Sequence, residues 1–191
     1  MGSNYMKVAI VIGHSEGIQG ASNSVSGHTE WEVNSKLAID VKHTFDTFKE
    51  TLGIEAQLFY RDDLGVGAML RLVNRVNQSE SDLCISLHLN AFNREAHGCE
   101  TLYWGTSMTG LTVASVMQEE VCKVLGNANR GVKPKRIRSR GAYILRKTHM
   151  PCVILEPFFI DNLDELANGL EKMEDLGSAI VEGIRQCKGL L

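Results

Sequence analysis

The chain has 191 residues, about 1.3 typical domains, so one domain or one domain with a short appendage is expected, with enough length to bury a real core. Hydrophobic residues at 43%, charged residues at 23% and three prolines exclude a long disordered, collagen-like or mucin-like chain. Twenty Lys plus Arg against 23 Asp plus Glu leave a net charge of −3, which argues against nucleic acid as a partner.

Met1 to Tyr5 precede a second methionine, Met6, and read as a leader, leaving 6–191 as a single domain. Lys7 to Gly13 is a continuous apolar run ending in glycine, which predicts a strand buried on both faces. A loop rich in Gly and Ser follows to Thr29. From Glu30, the positions Val33, Leu37, Val41, Phe45, Phe48 and Leu52 recur at helical steps and form one amphipathic stripe, stopped by Gly53. Ile54 to Tyr60 is a second strand. Asp62 or Asp63 can cap a helix carrying Leu70, Val73 and Val76 to about Asn77. Leu83 to Leu89 returns to strand, and Glu100 to Trp104 is another. Ser107 caps a helix running to about Leu125. Ala142 to Leu145 and Cys152 to Leu155 read as short strands, and Asp161 onward as a C-terminal helix with a break near Gly177. Strands alternating with helices imply a three-layer α/β domain around a twisted, mostly parallel sheet.

Five cysteines (Cys84, Cys99, Cys122, Cys152, Cys187) form no CxxC pair, and an odd number cannot all pair within one chain, so reduced, buried thiols are expected. The apolar stretch Val8 to Ile12 is far too short to span a membrane, and no charged segment leads into a signal-like one. Synthesis in the cytoplasm without membrane insertion is the expectation, with the chain a monomer.

In an open α/β sheet, ligands gather beyond the carboxyl ends of the strands. His14 follows the first strand, His88 lies at the end of the third and Glu156 follows the last, all in apolar runs where an unpaired ionisable group is costly. Glu30, at the start of the first helix, can face the same edge. Singly, each has an ordinary reading: a hydrogen-bonded histidine at a strand end, or a favourable charge in a first helical turn. Together, two imidazoles, a carboxylate and a spare carboxylate match what a hydrolytic zinc site needs: three protein ligands, an open position for water and a base to deprotonate it. No HExxH or other short ligand pair accompanies them.

The motifs IVIGH (10–14), EWEVN (30–34) followed by LAIDV, SLHLNAF (86–92), GCETLYW (98–104) and MPCVILEPFFIDN (150–162) occur in the order and setting of a known family. The chain closely resembles the zinc-dependent N-acetylmuramoyl-L-alanine amidases of the amidase-3 type, and most of all the catalytic domains of phage endolysins. RGVK (130–133) and ILRKTHMP (144–151) also fit. The resemblance implies Zn2+ ligands at His14, Glu30 and His88, and a catalytic carboxylate at Glu156. It also implies a sheet of about six strands, peptidoglycan as substrate, and cleavage of the amide between the lactyl group of N-acetylmuramic acid and L-alanine. Action on the cell wall then follows holin-type release or lysis. Two departures stand out: Ser15-Glu16 after Gly13-His14 where glycines are usual, and Pro157-Phe158 after Glu156 where Leu-Gly is usual.

Glu32 lies roughly 200° around the helix from Glu30, so both cannot face one metal. Glu16 reads as a solvated loop acid or a partner of an imidazole. His28, His43, His97 and His149 fall outside the motif positions, and of these His149 is expected nearest the cleft. Arg130 to His149 holds eight bases and no acid in twenty positions. It reads either as a solvated loop balancing the acidic C-terminal region, or as a surface placing Arg138, Arg140 or Arg146 against stem-peptide carboxylates. Arg146, ten residues before Glu156 and expected on the adjoining strand, favours the second. Competing functions are a zinc peptidase using the same groups, a non-catalytic wall-binding module, and a metabolic enzyme on the same fold.

Overall fold

The computed structural model describes residues 5–191; Met1 to Asn4, most of the expected leader, lie outside the described residues. The chain runs β1 (Met6–Ile12), α1 (Glu30–Thr47), α2 (Lys49–Leu52), β2 (Ile54–Tyr60), α3 (Ala68–Gln78), β3 (Leu83–Leu87), β4 (Cys99–Trp104), α4 (Met108–Leu125), β5 (Asn129–Lys135), α5 (Ala142–Lys147), β6 (Cys152–Glu156), α6 (Leu163–Glu171) and α7 (Met173–Cys187). The six strands form one sheet in the order β2-β1-β3-β6-β4-β5. All neighbours pair parallel except β4 with β6, so β4 and β5 run against the other four. The fold is the expected three-layer, mostly parallel α/β sandwich.

Period-two alternation decides which side chains meet which helices. Val8, Ile10, Ile12, Leu83, Ile85, Leu87, Val153 and Leu155 belong to the core beneath α1, α4 and α7. Ala9, Val11, Cys84, Cys152 and Ile154 point the other way, into a smaller core beneath α3 and α5. Because strands of the interior are covered on both faces, they read as unbroken apolar runs. The chain leaves β1 for β2 on one side and returns to β3 on the other, so β1 and β3 flank a switch point. Crevices in such sheets open there.

Several local expectations are corrected. The first helix stops at Thr47, and Phe48 is its cap, 52% exposed rather than part of the buried stripe; Leu52 then closes the short α2 before Gly53 at φ 61°. Asp62 and Asp63 do not cap α3, which starts at Ala68 after Gly67. Asp62 instead accepts two hydrogen bonds from the Arg71 guanidinium (2.9 and 2.6 Å), which lower its carboxyl to about 2, and Asp63 accepts from the Gly17 N–H. Ala142 to Leu145 is helix, not strand: four apolar residues carry too little periodicity to separate the two. The C-terminal break falls at Lys172, not Gly177, which lies within α7 against Val41 and Leu37 of α1.

The sequence NRGVKPK forms β5, which its basic composition concealed. It is an edge strand, where lysines and a proline discourage pairing with another chain. Against the expectation of five reduced thiols, Cys99 and Cys122 are disulfide-bonded, with Cα atoms 6.2 Å apart, because α4 lies over the start of β4; only Cys84, Cys152 and Cys187 are free, buried thiols. Closing a loop of 23 residues restricts the unfolded chain by about 3 kcal/mol in the chain-entropy account. Among the described residues no helix is long and apolar enough to cross a membrane.

Candidate metal centre

Two adjacent rows of side chains on the α3/α5 face of the sheet make the site. The inner row crosses four strands through Val11, Ser86, Ile154 and Leu102, which are register partners in turn. Two residues further towards the carboxyl ends of β1, β3 and β6 stand Gly13, His88 and Glu156, on the same face. Opposite Glu156 is Glu100, because β4 enters the sheet from this edge. Gly13 keeps the row open, since a Cβ there would sit 2.7 Å from the His88 ring and 2.6 Å from Leu87 O. The chain then turns at His14, whose φ of 68° is unusual for a residue with a side chain.

Glu30 reaches the same point from the first turn of α1. Thr29 caps that helix with a capping box: its hydroxyl accepts from the Glu32 N–H (3.3 Å) and Glu32 Oε2 accepts from the Thr29 N–H (3.0 Å). Glu32 is thereby spent on the cap, while Glu30, 1% exposed, turns inward. Its Oε1 lies 2.9 Å from His88 Nδ1 and accepts from the Leu89 N–H at 3.1 Å; its Oε2 lies 3.0 Å from His14 Nε2 and accepts from the Ala21 N–H at 3.2 Å. Burial alone would push this carboxyl up, but the hydrogen bonds and charge of His14 and His88 outweigh it and hold Glu30 well below the usual carboxylate range.

One ligand atom from each of His14, Glu30 and His88 lies within 4.8 Å of the others, so the three could hold a metal ion. A second observation agrees. Both His14 ring nitrogens are buried without a well-aligned hydrogen bond, although Nε2 is only 3.0 Å from Glu30. Ring nitrogens of His14 left without such a bond beside the Glu30 carboxylate suit a shared cation. Gly20, at φ 79°, closes the cradle: a Cβ there would come within 2.6 Å of the His14 ring and 2.7 Å of Glu30 Oε2. Two nitrogens and one carboxylate form a donor set suited to a borderline-soft divalent ion.

Glu156 stands apart from the triad and is raised to about 7 by burial, by the charge of Glu100 across the strand pair and by a hydrogen bond with it, against the opposing pull of Lys135. Glu100 in turn receives the Arg130 guanidinium at 2.6 Å, and Arg130 covers the Phe159 ring at 5.0 Å. Hydrogen bonds from Asn90 N–H to Phe158 O and from Ile160 N–H to Asn90 O join the segments beyond β3 and β6, which fixes the end of β6, with Glu156, beside His88.

His14, His88 and Glu156 line one cavity of about 300 Å³ that runs back from the sheet edge under α3 and α5. Of the three arginines singled out in the basic stretch, Arg140 lines it; Arg138 and Arg146 do not, and Arg146 is exposed on α5 rather than on a strand beside Glu156. His149 is exposed and also absent from the lining, and Glu16 is exposed. Sequence reasoning missed Glu100, Arg61, Lys135 and Ser86, all of which line the cavity. The signals were slight: an acid before an apolar strand, and a hydroxyl inside the otherwise apolar LCISL.

An α/β sheet that gathers two histidines, a glutamate and a separate raised carboxyl at its switch-point edge is the framework of a metal-dependent hydrolase. The chain belongs to the Amidase_3 family of N-acetylmuramoyl-L-alanine amidases, whose pattern it matches over residues 8–186. It is 34% identical over 115 residues to the germination-specific N-acetylmuramoyl-L-alanine amidase of Bacillus subtilis (strain 168), covering 59% of this chain and 47% of that protein. The chain thus spans about half the length of that relative. Among solved structures, the catalytic domain of the CD27L endolysin targeting Clostridia difficile is 29% identical with a TM-score of 0.80, covering 95% of this chain and 98% of that one. The N-acetylmuramoyl-L-alanine amidase of Clostridium difficile 630 shares the fold, with a TM-score of 0.86 at 23% identity and 98% of each chain covered.

Proposed function

We propose that residues 6–191 act as a single, monomeric catalytic domain that hydrolyses the amide between the lactyl group of N-acetylmuramic acid and L-alanine in peptidoglycan. The observation that carries this reading is the meeting of His14, Glu30 and His88 within 4.8 Å, with Glu156 on the same sheet edge. His14, Glu30 and His88 would hold a Zn2+ ion, which would supply Lewis acidity to the scissile carbonyl and to the attacking water.

The chain's own groups do the proton work. Glu156 removes a proton from the attacking water and returns it to the alanine nitrogen as that amine leaves. A carboxyl raised to about 7 suits both steps near neutral pH, since it gives up and takes back a proton at little cost. Burial and then Glu100 set that balance, and Arg130 holds Glu100 in place. The enzyme, made in the cytoplasm, reaches the wall by holin-type release or cell lysis.

Incubation with purified cell wall tests this reading. New amino termini that are all L-alanine, without new reducing sugar ends, are expected. Release of other amino termini instead would assign a peptidase, and wall binding without any release would assign a binding module.

Changing Glu100→Gln is expected to move the acid limb of the kcat/KM profile to lower pH by about one unit, because removing the facing negative charge favours ionised Glu156. A limb that stays in place or moves upward in a pH–rate series contradicts the coupling.

A further inference from the structure

The cavity behind the metal centre is built for more than the scissile bond. Its floor is the inner row of the sheet and its roof is Met69 and Leu72 of α3 with Ile144 of α5, so most of its wall is apolar. Three cations open onto it: Arg61 just after β2, Lys135 at the end of β5 and Arg140 just before α5. Their side chains take part in no hydrogen bond or ion pair among the described residues, unlike Arg71, Arg130 and Arg185, which each hold a carboxylate. Arg61 Nε is buried without a partner.

Ser86 supplies an independent sign. It is 1% exposed, sits mid-row between Val11 and Ile154 among the residues that line the cavity, and its buried Oγ has no hydrogen-bond partner. A hydroxyl in the middle of a covered parallel strand is costly unless something in the cavity bonds it. Glu100, held by Arg130, and Glu156 share this lining, but apolar walls, a buried hydroxyl and two guanidinium forks with an ammonium outnumber them and describe a receptor for a short peptide that has a small apolar residue followed by a free carboxylate.

Resting on the amidase reading above, we infer that this cavity is the subsite for the leaving side of the scissile amide, and that Arg61, Lys135, Arg140 and Ser86 select stem peptides whose second residue bears a free α-carboxylate over those in which it is amidated. Size agrees. A space of about 300 Å³ admits one or two small residues and excludes a glycan strand, which stays on the open side of the sheet edge. The alanine methyl group lies on the apolar wall and the next carboxylate reaches the cations. Arg130 is already occupied by Glu100, so it leaves the selection to the other three.

Calorimetric binding of L-alanyl-D-glutamate and of its α-amide, L-alanyl-D-isoglutamine, tests the subsite without turnover. The acid is expected to bind the wild-type protein about tenfold or more tightly than the amide, the scale of one hydrogen-bonded charge pair. Arg61→Gln combined with Arg140→Gln should abolish that preference, while Arg61→Lys with Arg140→Lys, which keeps the charge, should retain part of it; circular dichroism checks that each variant is folded. Equal affinity for the two peptides, no binding of either, or a preference that survives the double glutamine variant overturns the subsite. Wall hydrolysis measured on the same preparation judges the amidase reading separately: its absence sinks that reading, whereas hydrolysis without peptide preference sinks only the subsite.

Discussion

Glu156→Gln is expected to keep the fold and the metal ligands yet lose about 10² to 10⁴ in kcat, because the amide preserves the shape of the side chain and cannot accept a proton. The same change should stabilise the metal-free protein at alkaline pH. The Glu156 carboxyl is raised in the folded state from about 4.5 to about 7 by burial and by Glu100, so folding favours its protonated form. Its contribution to stability is fully present below about pH 4.5 and is lost as pH rises through about 7; above that, burying the charge costs roughly 3 kcal/mol. Glutamine is neutral throughout. Urea unfolding of metal-free protein should therefore show the variant more stable than wild type at pH 8, with the gain shrinking towards pH 4.5. Wild-type turnover, or a variant less stable at pH 8, would place the base elsewhere.

His88→Ala is expected to abolish both stable metal binding and hydrolysis. Loss of an outer hydrogen-bond partner of a metal ligand already weakens binding by about 10–100-fold, so losing one of three ligands costs more. The Glu30 carboxylate would also lose the imidazole 2.9 Å from its Oε1 and remain buried with His14 and two backbone N–H groups. Metal analysis after gel filtration should find about one zinc per wild-type chain and almost none in the variant. Full occupancy in the variant would remove His88 from the ligand set.

His14, His88 and Glu156 could be found in the sequence because each directly ends an apolar run, and the ends of parallel strands converge. Glu30 could be found because it opens an amphipathic helix. Glu100 could not be found by that logic. It begins a strand rather than ending one, and it reaches the site because β4 runs antiparallel to β6, a direction that an apolar run does not encode. Ser86 and Lys135 depend in the same way on which sheet face a residue takes and how far an edge strand extends. Arg146 depends on the state of Ala142 to Leu145: a strand would carry it beside Glu156, whereas helix α5 swings it outward to solvent. The Cys99–Cys122 link joins residues 23 apart, a spacing that becomes a bond only when α4 packs on β4. At Lys172 no proline or glycine marks the break between α6 and α7, whereas Gly177, five residues later, is a helix-breaking type held inside α7 by packing on α1.

Anomalous scattering at the zinc edge from crystals grown with Zn2+ would locate the ion itself. One strong peak is expected, bonded by His14 and His88 nitrogens and a Glu30 oxygen at about 2.0–2.2 Å, with Glu156 beside it and not bonded to it. A crystal with no peak among these three residues, or with Glu156 as a ligand in place of Glu30, would contradict this ligand set.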